Sequence, residues 1–460
     1  MPDSLTRREF MKDLGVFGAA ATLAPMVEFG EQDSDKAGGL KRPAFVKEVD
    51  QPTTEIDWSM MQRFNETHTC RAGFVDYVGQ DRLDALTKLR AENLDRWLKE
   101  GKPGYTLKDT ALSAGSGVGF SAQSFIGSQK AATPEDLGVP KWTGTPEEAS
   151  QMVTAALRHY GAATVGFVEL DTNTTEKLIY SHDPDGKEMK ILDVDEPAED
   201  DESRTIPKKA RWVIVYTVQM SEETFARAPT PLYSQTTTLT YRRARNIQDR
   251  AQNFLRGLGY MGMGEASTNA LGIAPAFGVM AGLGELSRYN RLLTVEYGPM
   301  VRVFKLVTDL PLAPTKPINA NMLEFCKNCT KCADHCPSKA LSFEKEPYWE
   351  VKGGWNNPGH KAWFEDSVKC RNYWYQVGTN CGICFAVCPF SSKNVATYNR
   401  LRNYLAGTTS MFDSTLKSID DLLYTPYVEF GKPQKDPEEW WTLNLPDYGI
   451  DTGQTVRETT

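Results

Sequence analysis

The chain has 460 residues, 40% of them hydrophobic and 24% charged, with a formal net charge of −8. That length allows two to three domains with sizeable cores, and the composition is that of an ordinary globular protein. The acidic balance argues against a nucleic-acid partner, which needs a basic face, and no apolar run reaches the roughly 18 residues of a membrane span.

The first element reads as an address. Residues 6–12, TRREFMK, carry the pair Arg7 and Arg8, then Phe10 and Lys12, and the short apolar stretch LGVFGAAATLAPMV follows. This order resembles a twin-arginine export signal, so residues 1–30 are set apart from the fold. Further on, Thr145 with Pro146, Glu147 and Glu148 is a helix opening, and Gly161 is its stop. Met152, Ala155, Ala156 and Tyr160 are expected to mark the apolar face of that helix. ATVGFVEL and RWVIVYTVQM read as buried strands. The charged, turn-rich residues 182–209 between them read as a surface insertion. Residues 241–260, YRRARNIQDRAQNFLRGLGY, predict an amphipathic helix with Ala244, Ile247, Ala251, Phe254 or Leu255, and Leu258 on the buried stripe. A Gly-rich stretch comes next. It does not open a helix after a strand in the G-x-G-x-x-G manner, so its glycines are read as places where backbone approaches a large flat cofactor. LLTVEYGPMVRVFKLVTDLPLAP reads as strand, turn, strand.

Eight of the nine cysteines then fall between Cys326 and Cys388. Cys326, Cys329, Cys332 and Cys336 follow C-x2-C-x2-C-x3-C with Pro337 next, the bacterial ferredoxin run in which the fourth thiolate serves the other 4Fe–4S cluster. Cys381, Cys384 and Cys388 repeat the motif in shortened form. Gly378 stands where a regular second motif has its first cysteine, and Cys370, eight residues upstream, replaces it. The expected ligand sets are Cys326, Cys329, Cys332 and Cys388 for one cluster, and Cys336, Cys370, Cys381 and Cys384 for the other. Disulfides or zinc would not call for this interlocked spacing. Cys70 is left over and is expected to be a buried, unreactive thiol.

The export signal, RVFKLVTDLPLAPTKP, EFCKNCTKCADHCP and the shortened second motif together resemble the respiratory reductive dehalogenases over nearly the whole chain. The resemblance implies an α+β protein: a nitroreductase-like, corrinoid-binding α/β core with an appended ferredoxin-like domain for two 4Fe–4S clusters. It places the N-terminal part of the corrinoid-binding unit at 31–144, the corrinoid and substrate core at 145–318, the two-cluster domain at 319–395 and a C-terminal segment packing on the core at 396–460. The chain has no D-x-H-x-x-G motif, and the family implies a corrinoid of the cobalamin type in its base-off form. By the same likeness Tyr241, at the start of the helix ending in LGY, is the proton donor, and Arg302, on the strand after EYGP, is its basic partner. Asn269 is a candidate pocket residue, with Ser267 an equal match, and Trp374 is a candidate pocket wall.

The implied reaction replaces halogen by hydrogen on a small organohalide: a chlorinated alkene, alkane or arene. It is the terminal step of organohalide respiration. The implied partners are the twin-arginine export machinery, an upstream respiratory electron donor and a small integral membrane anchor protein, with the enzyme peripheral on the outer face of the cytoplasmic membrane. Two other readings are weighed against this one. An epoxyqueuosine-reductase-like corrinoid enzyme should be cytosolic and lack TRREFMK, and a ferredoxin-like electron-transfer subunit has no use for so large an α/β core.

Overall fold

The computed structural model describes residues 42–43, 45–117, 119, 123–391, 406, 417 and 431–450. The twin-arginine segment, and residues 396–460 apart from 406, 417 and 431–450, lie outside the described residues. Helix α1 (Gln80–Lys99) and helix α2 (Leu107–Ser116) lie in the N-terminal part. Helix α3 (Pro146–Tyr160) begins as expected, because Thr145 and Glu148 form a reciprocal capping box, and Gly161 closes it at φ 110°. Its buried face is shifted from the expected one. Ala149, Val153 and Leu157 are inside, whereas Ala155 is exposed and Met152, Ala156 and Tyr160 are half-buried. The two bulky branched residues four apart define the stripe, and alanines on either flank carry little information about it.

The chain then runs through strand β1 (Thr164–Glu169), the short strands β2 (Glu188–Leu192), β3 (Ala198–Glu199) and β4 (Ser203–Pro207), and strand β5 (Trp212–Gln219). The charged insertion is therefore more than surface. It folds as a three-stranded sheet in the order β2-β4-β3, pinned by Arg204, whose buried guanidinium meets Asp183 at 2.9 Å, Asp185 at 2.5 Å and Glu199 at 2.9 Å. Arg204 and Asp183 are buried in this ion cluster, while most of the other charged residues of the insertion stay exposed, as a surface element requires.

Helix α4 (Pro231–Leu258) starts ten residues before the expected point. Thr230 caps it and Pro231 occupies its first turn. Tyr241 consequently lies in mid-helix rather than at its start, a correction to the sequence reading. The expected stripe holds at Ala244, Ile247, Ala251 and Leu255, with Phe254 and Leu258 half-buried. Strand β6 (Gly262–Gly264), helix α5 (Ala274–Met280), a hairpin of β7 (Glu285–Leu286) and β8 (Leu292–Leu293), and strand β9 (Val301–Thr308) complete the core. The expected strand–turn–strand is present, but its first strand is only two residues long and pairs with β7 rather than β9.

The central sheet is antiparallel in the order β1-β5-β9-β6. Both faces are covered. Ile214, Tyr216 and Val218 of β5 pack with Val153, Leu157, Ile247 and Ala251 of α3 and α4, while Val213 and Val215 face Phe277 of α5 and the cluster around Leu178 and Ile179. That alternation is the two-residue period of a strand between two layers. The remaining region has little regular structure: α6 (Met322–Asn328), α7 (Lys331–Asp334), α8 (Ser367–Val377) and α9 (Ile383–Ala386). No helix among the described residues is long and apolar enough to cross a membrane.

Candidate active site

A cavity of about 610 Å³ lies where α4, β9, the β7–β8 hairpin, α8 and the N-terminal segment meet. Tyr241, Asn269, Arg302 and Trp374 all line it. Helical spacing puts Thr237 and Tyr241 on one face of α4, in line with the stripe of Ala244, Ile247 and Ala251 that packs on the sheet. The Tyr241 ring stands edge-on to Phe304, with centroids 5.7 Å apart. Its hydroxyl donates to Asn269 Oδ1 at 3.4 Å. Asn269 holds the left-handed conformation, φ 68°, which asparagine tolerates better than most residues. Ser267 is not on the cavity wall, and its buried hydroxyl has no partner among the described residues, whereas Asn269 lines the cavity.

Arg302 is paired opposite Val218 in the sheet and reaches the cavity from β9. Its Nη2 donates to Thr237 Oγ1 at 3.3 Å, and its Cζ lies 5.8 Å from the Tyr241 ring centre and 5.5 Å from that of Phe385. The buried Nε of Arg302 and Nε1 of Trp374 have no hydrogen-bond partner among the described residues. Unmet donors of this kind in a cavity wall call for a polar ligand.

Cysteines crowd one side. Cys326, Cys329, Cys332, Cys336, Cys381 and Cys388 are buried, and Cys370 and Cys384 are half-buried. Burial and mutual repulsion push up the thiols of Cys326, Cys329, Cys332, Cys370, Cys381 and Cys384, and the repelling neighbours fall into two groups. Cys326 feels Cys329 and Cys388; Cys332 feels these and Cys326. Cys370 feels Cys384 and Cys336, while Cys381 feels Cys370 and Cys336. One link, Cys332 to Cys384, crosses between the groups. Among the described residues no three His, Cys, Asp or Glu side chains close on a single ion; a cubane holds its ligand sulfurs further apart than one ion does. Gly378 caps α8 at φ 77°, about two turns beyond Cys370. Cys70 is buried on the cavity wall, and desolvation pushes its thiol up to about 12, which keeps it unreactive.

Sequence reasoning missed four wall residues. Glu66 is 4% exposed, and desolvation pushes its carboxyl up to about 7 against the hydrogen bond from Tyr180. Tyr180, itself buried, is the second. Desolvation holds His360 down at about 4, so its imidazole is neutral. Glu365 Oε1 accepts from Arg291 Nη2 at 2.8 Å. These residues come from distant segments and belong to no local pattern.

Comparison with known proteins agrees with this layout. Residues 41–190 and 190–312 match the model for the reductive dehalogenase subunit. The chain belongs to the reductive dehalogenase family. This dehalogenase is thus an oxidoreductase acting on carbon–halogen bonds. Residues 325–391 match the 4Fe-4S double cluster binding domain, which agrees with the cysteine spacing. The dehalogenase is 28% identical to the trichloroethene reductive dehalogenase of Dehalococcoides mccartyi, over 97% of this chain and 98% of that one. It is 29% identical to the tetrachloroethene reductive dehalogenase of Sulfurospirillum multivorans, over 97% and 95%. A solved reductive dehalogenase described for B12-dependent dehalogenation has the same fold, with TM-score 0.58 and 20% identity. The match covers 85% of this chain and 51% of that one, so the dehalogenase spans about half the length of that structure. An epoxyqueuosine reductase of Leadbetterella byssophila is 30% identical over only 24% of this chain. A bare electron-transfer subunit leaves the match over 41–312 without a role.

Proposed function

We propose that this dehalogenase removes halide from a small chlorinated organic molecule in the cavity between α4, β9 and α8, with Tyr241 as proton donor. The balanced reaction is R–X + 2e⁻ + H⁺ → R–H + X⁻. The observation that carries the reading is the meeting of Tyr241, Asn269 and Arg302 in one cavity whose far wall includes Cys370. The relatives named for trichloroethene and tetrachloroethene favour a chlorinated alkene.

Two kinds of cofactor fit. The eight thiols, grouped by their repulsions, would hold two 4Fe–4S clusters as Cys326, Cys329, Cys332 and Cys388, and Cys336, Cys370, Cys381 and Cys384. The cavity's size and its unmet Arg302 and Trp374 donors suit a corrinoid, in the base-off form that the family resemblance implies. When bound, a corrinoid supplies a reducible cobalt centre for cleaving the carbon–halogen bond.

The protein's own part is proton delivery. Tyr241 donates its hydroxyl proton to the carbon that loses halide, and Asn269 holds the phenol in place. The phenolate left behind is costly in a cavity shielded from water. Arg302 relieves that cost: a full charge about 6 Å away is worth roughly 3 kcal/mol at an effective dielectric of 20. Arginine keeps this charge at any working pH. Thr237 fixes the guanidinium, and Trp374 closes the wall over it.

Tyr241→Phe is expected to keep its iron and cobalt yet lose about a hundredfold or more of its turnover, the usual worth of a positioned acid. Arg302→Lys should keep part of the activity and Arg302→Leu very little. A Tyr241→Phe enzyme with intact cofactors and full turnover would remove the tyrosine as donor. In location, the protein is proposed to be exported by the twin-arginine route and to sit on the outer face of the cytoplasmic membrane, held by a small anchor protein and fed by the respiratory chain. The support is residues 6–12. Replacing Arg7 and Arg8 by lysine should leave the protein in the cytoplasmic fraction, and unchanged membrane recovery would count against the signal.

A further inference from the structure

The β7–β8 hairpin ends in Arg288, Tyr289, Asn290 and Arg291, and this tip lies between the cavity and the cysteines. Arg288 is fully buried. Its Nε donates to the carbonyls of Cys326 at 3.0 Å and Cys329 at 3.1 Å. Its Nη2 donates to Cys326 O at 2.6 Å and Lys327 O at 3.3 Å, and its Nη1 to Ser342 O at 3.0 Å and Glu344 O at 2.6 Å. Trp363 stacks against it, with Cζ 4.5 Å from the ring centre, and itself donates to Glu344 O at 2.8 Å. Among the described residues no carboxylate forms an ion pair with Arg288. A buried guanidinium satisfied only by carbonyls keeps its full charge, which is expensive unless something nearby is negative.

Tyr289 is 3% exposed, its ring 5.2 Å from that of Phe385. Its hydroxyl is buried without a partner among the described residues. It belongs to the buried cluster that also holds Cys332 and Cys388 of one set and Cys336 and Cys381 of the other, so it stands where the two thiol groups adjoin. Arg291 differs from Arg288, because Glu365 neutralises it at 2.8 Å. The tip thus sets one unmatched positive charge behind the Cys326–Cys329 loop and one free hydroxyl donor between the two groups.

We propose that this hairpin tip sets the reduction potentials of the two clusters, with the charge of Arg288 and the hydroxyl of Tyr289 both stabilising the reduced state. The inference rests on the two-cluster reading above. Each reduction adds one negative charge to a cluster, and a nearby cation or a hydrogen bond to cluster sulfur disperses it, raising the potential. Arg288 is a positioning residue for the first cysteine loop and acts mainly on the cluster of Cys326, Cys329, Cys332 and Cys388. Tyr289 acts at the junction.

The test is a redox titration of the iron-loaded full chain, followed by electron paramagnetic resonance. Iron and acid-labile sulfide are counted first: about eight of each in the wild type supports the clusters, and a lower count in fully loaded wild type overturns that underlying reading and not the tip's role. Tyr289→Phe keeps the ring and should keep all the iron, with at least one midpoint moved to more negative potential. Arg288→Met should move the midpoint of the first cluster in the same direction, while Arg288→Lys, which keeps the charge, stays nearer the wild type. If Arg288→Met does not retain iron, Ser342→Asp takes its place, because a carboxylate beside the guanidinium offsets the charge and leaves the carbonyl acceptors intact. Midpoints equal to the wild type in iron-replete Tyr289→Phe overturn the role of the hydroxyl. Midpoints equal to the wild type in Arg288→Met or Ser342→Asp overturn the role of the charge.

Discussion

Between residues 146 and 312 the chain is held by periodic apolar side chains: helices of 15 and 28 residues lie across a four-stranded sheet buried on both faces. Between 319 and 391 the helices have 7, 4, 11 and 4 residues, and cysteines share the buried positions with apolar residues such as Leu323, Phe325, Ile383 and Phe385. The first region can close its core with its own side chains. The second has too little apolar surface and too few backbone ladders to order itself as firmly, so the proposed clusters become part of its fold as well as its function. A sequence that assigns electrons to metal and protons to a helix therefore also assigns its stability to two different sources.

The widest separation between the regions should come from Cys370→Ser. That variant is expected to lose one cluster, about four iron, and nearly all turnover, while the far-ultraviolet circular dichroism of the sheet region persists. Full iron and a two-cluster spectrum would remove Cys370 from the ligand set. Phe167→Ala tests the other source. Phe167 is fully buried between β5 and the helices, so the truncation should cost about 4 kcal/mol by urea unfolding, without changing the iron bound per folded molecule.

Glu66, on the N-terminal segment that lines the cavity, offers a pH handle that does not act through the cysteines. Its carboxyl titrates at about 7 when folded, against an ordinary value of 4.5 when unfolded. The folded state holds the extra proton between those values. Its stabilising share is complete below about 4.5 and is lost as pH rises through 7, at a cost of about 3 kcal/mol. Glu66→Gln should flatten that slope and raise the urea midpoint at pH 8 while leaving it near wild type at pH 4.5. The smallest effect is expected at Gly378, whose φ is 77° and where an added Cβ would lie 2.6 Å from Leu94. Gly378→Ala should cost about 1–2 kcal/mol and leave iron unchanged, since the position caps a helix and binds nothing. Lost iron would mean that the cap positions Cys370.

Legibility follows the same division. Cap chemistry at Thr145 and Gly161 and the unbroken apolar run of β5 are local signals, and both were readable. The start of α4 was not, because the threonines before Tyr241 read as poor helix formers. In the fold their hydroxyls turn back onto the helix: Thr240 Oγ1 donates to Thr236 O at 2.7 Å, and Thr238 Oγ1 to Ser234 O at 3.2 Å. The cysteine sets could be written down because cluster geometry dictates spacing. Glu66, Tyr180 and Glu365 could not, because only tertiary folding brings residues so far apart in sequence to one wall.

Helix α4 has one more consequence. Tyr233 packs where a Cβ on Gly382, beside Cys381, would meet its ring at 2.5 Å, and Tyr241 stands two turns further along the same helix. Eight residues of helix span about 12 Å, and each residue turns the face by about 100°. The segment works as a ruler with a built-in angle. One residue inserted between Tyr233 and Tyr241 would swing the phenol off Asn269 with every residue of both ends still present. With Tyr241 as the proposed donor, this interval fixes its distance and angle from the Cys381 loop.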